Sequence, residues 1–412
     1  MRVLIISHTP FDDNGYKGGN WVNALVDTLA GENDLSVAVA YVSQLRKDRW
    51  TDGNVTYYPI FHKHTMGDRF RRIVLGKPSM VRDDRRVKGI IEDFKPDIVQ
   101  LFGLETEHAG IVGNVRDVPV VVHLQGVISE YVKFMYPQGI DSKAFRRSYP
   151  LVDRILRRTY YDSARLTMAR TEYEQFYFRK YKYYLGRTFW DRKVCTDYAP
   201  EAVYFVCDEL LRKEFHGRKW SPRDGKVILT SVFNGESYKG YDTILKTSET
   251  LRKRGFEFEW NVFGITPDNP VPRIFEKQLG INFEDNNVHL KGSATAAELA
   301  DALCSSTLFI HTSHIDNSPN SVCEAMLVGL PVIAMNVGGL PSIVEDGISG
   351  MLVDDYDIDG LAGRIMDSAQ DYGLLLRISA GEIERAEKRH SKDNVIAELT
   401  AAWNSILKEE AL

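Results

Sequence analysis

The sequence has few cysteines and no long apolar run, and both absences narrow the class of protein. A membrane-spanning helix needs roughly 18 consecutive apolar residues, and no such run occurs in the 412 residues. The first apolar run, residues 2–7, is too short for a signal peptide and predicts a strand. The four cysteines lack the spacing of a metal site, so we expect reduced core thiols in a cytoplasmic protein. These cysteines are Cys195, Cys207, Cys304 and Cys323.

The chain also has little net charge, −5 at neutral pH, but this charge is unevenly distributed. Residues 1–225 contain 36 Lys and Arg against 29 Asp and Glu, whereas the remainder contains 16 against 28. A basic half beside an acidic half indicates that the first half meets something anionic. No zinc-finger, RRM or helix-turn-helix pattern is present, so we expect no nucleic-acid partner.

The length and the order of elements predict two α/β domains. A chain of 412 residues is too long for one hydrophobic core. Strands alternate with helices on both sides of a polar stretch, 212–224, whose Trp-Ser-Pro at 220–222 predicts a linker. We therefore predict one doubly wound domain over 1–215 and another over 225–389, and we expect a long helical stretch from about 381 to 407 to close the chain.

The stretch 307–344 is the most informative part of the sequence. It predicts a strand, a helix with Ser318 as N-cap and Pro319 at its first position, a second strand, and a Gly-Gly loop before another helix. Loops that follow parallel strands meet at one edge of the sheet, together with the N-termini of the next helices. Such an edge suits an anion.

Two carboxylates lie within this stretch, Asp316 in the loop and Glu324 eight residues later in the helix. Carboxylates accept hydrogen bonds from vicinal hydroxyls, so this pair suits a ribose at one end and a sugar ring at the other. The alternative is an ordinary loop acid and a solvated helix residue.

The sequence DNSPNSVCEAMLVGLPVIA, followed by GGLPSIVEDGISGMLV, resembles the donor-binding signature of family 4 retaining glycosyltransferases with the GT-B fold. The first acid of that signature is usually Glu and is Asp316 here. The resemblance implies two Rossmann-like domains that face each other across a cleft, with the donor held mainly by the second. It also implies that a C-terminal helix, about 390–412, returns to the first domain.

The same resemblance assigns roles to further residues. It implies that Lys239 binds the donor diphosphate, while Asn234 stands where the family has an Arg. Gly18 and Gly19 correspond to the Gly-Gly loop that faces the donor, and His123 corresponds to a histidine near the donor sugar. The donor-binding loop would comprise Ser318, Pro319, Asn320 and Ser321.

The function implied is a retaining glycosyltransferase that moves a sugar from a nucleotide-diphosphate sugar to a hydroxyl of a glycan or lipid-linked glycan. We expect no cofactor and no metal, with Asp316, Lys239 and His123 as the catalytic residues. Asp355 and Asp357 match an Asp-x-Asp pattern, but they follow a strand and precede a helix, where acids act as caps. A phosphorylase of the same fold lacks support, because no lysine motif for pyridoxal phosphate is present. A nucleotide-sugar epimerase and a non-catalytic nucleotide-sugar-binding module remain alternatives.

A basic and aromatic region runs from residue 69 to residue 184. It predicts either solvated helix faces or a surface that contacts anionic lipid on the inner face of the membrane. The second interpretation requires seven cations to lie on one face: Arg69, Arg71, Arg72, Arg157, Arg158, Lys180 and Lys182. The cluster GRTFWDR at 186–192 is distinctive, and the sequence gives it no chemical role.

Overall fold

The structure is a computed structural model that describes most of the chain as two compact units. The described residues are 1–8, 11, 21–43, 45–61, 65–71, 77, 84–105, 107–110, 112, 115, 117–222 and 225–411. The first unit comprises Met1–Glu130, Arg165–Leu210 and His390–Leu412, and the second comprises Tyr131–Ala164 and Leu211–Arg389.

The first unit is built on an eight-stranded sheet in the order β3-β4-β2-β1-β5-β6-β7-β8. Every neighbouring pair is parallel except β3 with β4. The strands are β1 (Arg2–Ser7), β2 (Ser36–Ser43), β3 (Trp50–Asp52), β4 (Val55–Phe61), β5 (Ile98–Phe102), β6 (Val120–His123), β7 (Tyr183–Gly186) and β8 (Val203–Val206).

Helices cover both faces of this sheet, because alternate strand residues point to opposite sides. Leu4 and Ile6 of β1 enter one apolar cluster, while Val3 and Ile5 enter another. The helices of this part of the chain are α1 (Trp21–Leu29), α2 (Met66–Phe70), α3 (Asp84–Phe94), α4 (Ile128–Tyr131), α7 (Tyr160–Phe178), α8 (Phe189–Tyr198) and α16 (Lys392–Glu410). Trp403 of α16 is buried in the cluster with Val3 and Ile5.

The second unit is built on a six-stranded, wholly parallel sheet in the order β11-β10-β9-β12-β13-β14. Its strands are β9 (Val227–Val232), β10 (Phe258–Phe263), β11 (Val288–Gly292), β12 (Leu308–His311), β13 (Val332–Met335) and β14 (Met351–Val353). Its helices are α5 (Ser142–Arg147), α6 (Leu151–Ile155), α9 (Tyr241–Lys253), α10 (Pro270–Leu279), α11 (Ala296–Cys304), α12 (Asn320–Val328), α13 (Leu340–Ile343), α14 (Ile358–Gln370) and α15 (Tyr372–Arg389). These elements enclose one apolar core, with Trp260 and Phe309 among its fully buried side chains. The predicted α/β class with two parallel-sheet domains is confirmed.

The unit boundaries differ from the predicted ones at residues 131–164, which the sequence analysis placed in the first domain. The structure assigns Tyr131–Ala164 to the second unit. Phe145 explains this, because its fully buried ring packs against Phe275 with centroids 5.7 Å apart. Sequence order alone favoured the first domain, since this segment precedes β7.

Two local predictions were wrong. The expected helix from 381 to 407 is two helices, α15 and α16, and α16 begins anew where the Ser391 side chain accepts a hydrogen bond from the Asn394 N–H. The expected linker at 220–222 is packed, because the indole N–H of Trp220 donates to the Ser306 carbonyl at 2.7 Å. Within the described residues, the structure contains no helix that is both long and apolar enough to cross a bilayer.

Candidate functional site

Three loops of the second unit leave the carboxyl-terminal edge of its sheet next to one another. They follow β9, β12 and β13, which are adjacent parallel strands. The loop after β12 is mostly buried although it is polar, with Thr312, Asp316 and Asn317 all less than a tenth exposed. A buried polar loop requires internal hydrogen-bond partners, and these partners define the site.

The carboxylate of Asp316 is the centre of the site. The Lys239 ammonium, from the loop after β9, donates to Asp316 Oδ2 at 2.6 Å. His311, the last residue of β12, places Nε2 3.2 Å from the same oxygen. Burial alone would raise the pKa of Asp316, but Lys239 and His311 outweigh burial and hold that pKa well below its usual range.

The histidine of this group is neutral, because burial lowers the pKa of His311 below its ordinary value. A neutral ring that donates from Nε2 to Asp316 leaves Nδ1 as an acceptor, and Nδ1 is buried without a hydrogen-bond partner among the described residues. Lys239 has three N–H donors, so the bond to Asp316 leaves donors for an anionic ligand. The group therefore combines a fixed cation with an acceptor at the edge of the sheet.

Two glycines allow the three loops to approach one another closely. A Cβ at Gly240 would lie 1.9 Å from the Thr312 carbonyl oxygen, and one at Gly338 would lie 2.0 Å from the Asp316 carbonyl oxygen. Both residues have positive φ angles, of 84° and 51°. The Gly339 N–H donates to the Asp316 carbonyl at 2.9 Å, so the Gly-Gly loop after β13 fixes the loop that carries the carboxylate.

The helix after this loop begins later than the sequence predicted. Pro319 is the N-cap of α12 and no side chain caps it, whereas Ser318 was the expected N-cap. Ser318 is buried, and Asn320 and Ser321 form the half-exposed first turn of α12. Ser318 to Ser321 therefore lie together at the helix start, as the resemblance implied for a donor-binding loop, and their role stays a prediction.

Glu324 lies on α12 with its side chain only 2% exposed. Arg212 engages both carboxylate oxygens, with Nε and Nη2 donating at 2.7 and 2.8 Å. Burial raises the pKa of Glu324, and the guanidinium opposes that rise. The sequence does not reveal Arg212, the first residue of the polar stretch 212–224, as the partner of Glu324, because the two residues are 112 positions apart.

Asn234 stands at an exposed position after β9, where the family pattern has an Arg. Its side-chain oxygen accepts a hydrogen bond from the Glu236 N–H at 3.3 Å, and its carbonyl accepts one from the Tyr241 hydroxyl at 3.0 Å. Both bonds stay within the loop and the start of α9. Asn234 therefore shapes the loop that carries Lys239, and its part in phosphate binding stays a prediction.

A second charged group, centred on His314, lies next to the same loops. The ring places Nε2 2.9 Å from Asp242 and Nδ1 2.7 Å from Asp355, and Tyr356 stacks on it with centroids 4.5 Å apart. Burial acts to lower the pKa of His314, but the two carboxylates outweigh it and raise that pKa to about 9. His314 is therefore a buried cation that ties α9 to the segment after β14. The sequence analysis had interpreted Asp355 and Asp357 as helix caps, and Asp357 does cap α14 by accepting from the Gly360 N–H.

Tyr160 and Glu236 form a contact that the sequence analysis also missed. The Tyr160 hydroxyl donates to Glu236 at 3.1 Å and lies 2.8 Å from the Ser237 hydroxyl. These bonds attach the segment Tyr131–Ala164 to the loop that leads to Lys239.

The remaining predicted site residues belong to the first unit. His123 is fully buried at the end of β6, and its Nδ1 accepts from the Gln100 amide at 3.1 Å. Burial lowers the pKa of His123 to about 3, so its ring is neutral. Gly18 and Gly19 lie outside the described residues.

Comparison with known proteins matches the part of the chain that carries this site. Residues 225–371 fit the family model described as "Glycosyl transferases group 1". The MMP alpha-(1->4)-mannosyltransferase of Mycolicibacterium hassiacum is 28% identical over 228 residues, which are 53% of this chain and 52% of that protein. A putative colanic acid biosynthesis glycosyltransferase, WcaL of Salmonella typhimurium, is 26% identical over 172 residues, 40% of this chain and 41% of that one. The chain thus matches about half or less of the length of these curated relatives.

The likeness in structure extends over the whole chain. The sucrose-phosphate synthase of Thermosynechococcus elongatus superimposes with a TM-score of 0.73 over 99% of both chains, at 13% sequence identity. At this identity the likeness establishes a shared fold. The family match and the shared fold agree with the resemblance found in the sequence: this chain has the GT-B fold, and its residues 225–371 match the model of the group 1 glycosyltransferases.

Proposed function

We propose that the protein is a retaining glycosyltransferase that moves a sugar from a nucleotide-diphosphate sugar to a hydroxyl group of a glycan or lipid-linked glycan. The observation that carries the proposal is the Lys239–Asp316 pair, held by three loops at the carboxyl-terminal edge of the sheet in the family-matched domain. In open parallel sheets this edge is where ligands bind. The colanic acid relative supports a role in polysaccharide biosynthesis.

The two carboxylates have different tasks in this proposal. Glu324, oriented by Arg212, accepts hydrogen bonds from donor hydroxyls. Asp316 holds the Lys239 ammonium in place, so that it meets the donor diphosphate without reorganisation. Negative charge on the leaving diphosphate is greatest in the transition state, and a cation that is already fixed stabilises that state most.

For the bond changes we propose front-face attack, the mechanism that the resemblance to retaining GT-B enzymes implies. The bond between the anomeric carbon and the diphosphate oxygen breaks, and the acceptor oxygen forms its bond on the same face of the sugar. The acceptor hydroxyl proton passes to the departing phosphate oxygen, which balances the reaction without an added base. Lys239 stabilises the diphosphate as it leaves, and we propose that the reaction needs no metal ion.

A non-catalytic nucleotide-sugar-binding module is the second candidate, and Asn234 favours it, because a neutral side chain replaces a bidentate phosphate ligand. Isothermal calorimetry with nucleotide sugars and with free nucleoside diphosphates tests the shared binding step. Glu324→Ala should weaken donor binding by about tenfold or more, since loss of a buried hydrogen-bond partner costs about 1–3 kcal/mol. Unchanged affinity in Glu324→Ala would contradict the role given to this carboxylate. Turnover by the wild-type protein then separates the enzyme from the binding module.

A further inference from the structure

The second unit exposes a basic and apolar surface that the sugar-transfer chemistry does not use. Its apolar centre is the short helix α6, in which no residue is buried and Leu151, Val152 and Ile155 are 63%, 63% and 67% exposed. Its cationic rim comes from α5 and α6. We call this the Leu151 surface, and it consists of Leu151, Val152, Ile155, Arg146, Arg147 and Arg154.

The Leu151 surface lies on a segment whose other side is packed in the second unit. Phe145 of α5 is fully buried, and its ring packs on Tyr160 with centroids 5.2 Å apart. The backbone N–H of Asp141 donates to the Gln278 side chain at 2.7 Å, and the Asp141 side chain caps α5. The segment thus buries one side in the core of the second unit and presents Leu151 and Ile155 outward.

The charge around this apolar centre is strongly positive. Residues 141–158 contain six Lys and Arg and two Asp, a formal charge of +4. Three of these arginines and Lys143 line a depression of about 500 Å³ whose apolar wall includes Leu151 and Ile155. Arg147 has a carboxylate partner, Asp141 at 3.5 Å, and both of these side chains are more than half exposed.

We propose that the Leu151 surface docks the protein on an anionic lipid bilayer. Exposed aliphatic side chains that insert below the headgroups, ringed by Arg and Lys that meet lipid phosphates, are the pattern by which a protein lies on a membrane. A second copy of the chain fits poorly, because the three arginines of one Leu151 surface would face the three arginines of the other. Nucleic acid fits poorly as well, because the centre of the surface is aliphatic.

This inference deepens the proposed function, since a lipid-linked acceptor is held in a bilayer. The cations that the sequence analysis grouped on one face are divided between the two units, and their grouping on one face stays a prediction. Arg71, Lys180 and Lys182 belong to the first unit, whereas Arg157 and Arg158 belong to the second. The Lys182 ammonium bonds Glu409 at 2.7 Å, so its charge is already compensated. Arg72 and the Arg69 side chain lie outside the described residues.

The test is co-sedimentation of the full chain with phosphatidylcholine vesicles, with and without one third phosphatidylglycerol, in the absence of donor. An increase in salt concentration from about 50 mM to about 300 mM shortens the Debye length from roughly 14 Å to 6 Å, so vesicle binding should weaken at the higher concentration. We expect binding to the anionic vesicles only. Arg146→Glu/Arg147→Glu should reduce the partition coefficient at least tenfold, and Leu151→Ser/Ile155→Ser should reduce it by a similar factor.

Matched controls come from other exposed positions of the same unit. Leu376→Ser changes a leucine that is 53% exposed on α15, and Arg252→Glu reverses an exposed charge on α9. Both controls should bind vesicles like the wild type. An unchanged thermal unfolding temperature shows that a variant is folded. If the double variant Leu151→Ser/Ile155→Ser is not folded, the single variant Leu151→Ser or Ile155→Ser replaces it.

Several outcomes would overturn the docking proposal. Absence of vesicle binding or equal binding to neutral vesicles would do so, and so would an equal loss of binding in the control variants. A wild type that is dimeric in solution, with Leu151 variants that are monomeric, would show that the surface binds a second copy of the chain instead. Sugar transfer to a soluble acceptor is measured separately. Absence of vesicle binding would therefore leave the proposed function intact, and vesicle binding without sugar transfer would contradict the proposed function alone.

Discussion

Replacement of Arg212 by Met should destabilise the second unit and remove the cation that lowers the pKa of Glu324. The variant keeps most of the apolar stem of the side chain and deletes the guanidinium that donates two hydrogen bonds at 2.7 and 2.8 Å. Breaking a buried ion pair by removing one partner costs about 3–5 kcal/mol. Arg212 is 22% exposed, so water reaches part of the pair. We therefore expect a loss of about 2–4 kcal/mol in the free energy of unfolding.

The ionisation of the Glu324 carboxyl group determines how the stability of Arg212→Met depends on pH. Burial raises the pKa of Glu324, and without Arg212 burial and the nearby Glu214 carboxylate, which both raise that pKa, remain to act on it. When the pKa of a carboxyl group is higher in the folded state than in the unfolded state, protonation of that group stabilises the folded state. This stabilisation is complete below the unfolded pKa of about 4.3 and is lost as pH rises through the folded pKa. The destabilisation by Arg212→Met should therefore be smaller at pH 5 than at pH 8. Donor affinity of the variant should increase with pH, because only the ionised carboxylate accepts hydrogen bonds with both oxygens.

Urea unfolding at both pH values measures these effects, and Arg218→Met provides the matched control. Arg218 pairs with Asp301, and these side chains are 42% and 62% exposed. Surface pairs of this kind contribute at most about 1 kcal/mol. The double variant Arg212→Met/Glu324→Gln should lose less than the sum of the two single changes. Equal, small losses for Arg212→Met and Arg218→Met would refute the reasoning.

Three further predictions concern the same unit. Lys239→Met should lower kcat by about 100-fold or more, as expected when a donor to a developing negative charge is removed, and a raised KM with unchanged kcat would show that Lys239 only binds substrate. His314 has a folded pKa of about 9, so the stability it adds is complete below the unfolded pKa of 6.5 and is lost as pH rises through 9. That contribution to the free energy of unfolding is at most about 3 kcal/mol. The urea midpoint of the wild type should fall between these two pH values, and His314→Gln should remove this fall. An equal fall in both proteins would contradict the assignment. EDTA should leave the rate of sugar transfer unchanged, and a loss of rate that added Mg²⁺ or Mn²⁺ restores would identify a required metal.

The sequence predicted those parts of the fold and site that depend on local patterns. Buried parallel strands give short β-rich runs, and the loop residues Lys239 and Asp316 could be placed because each lies close in sequence to the strand it follows. The family resemblance rested on the 316–350 region, where loop, helix and strand are contiguous. The resemblance to glycosyltransferases of the GT-B fold followed from that region; the fold is confirmed, and residues 225–371 match the model of the group 1 glycosyltransferases.

The parts that the sequence did not reveal depend on contacts between distant residues. Arg212 and Glu324 are 112 positions apart, so neither the partner nor its effect on the carboxylate could be derived from a local pattern. The buried cation at His314 required Asp242, 72 positions away. The segment 131–164 belongs to the second unit because Phe145 is buried there, and an isolated phenylalanine in a basic stretch carries no signal of its destination.

The most direct test of the proposed sugar transfer is mass spectrometry of the purified protein incubated with a panel of nucleotide sugars. We predict that one nucleotide sugar is converted to its nucleoside diphosphate, with the sugar transferred to an added glycan acceptor or slowly to water. Lys239→Met and Glu324→Ala should lose this conversion, while Arg252→Glu should retain it. A nucleotide sugar of unchanged mass but altered configuration would identify an epimerase. Binding of a nucleotide sugar without release of nucleoside diphosphate, whatever acceptor is supplied, would contradict sugar transfer.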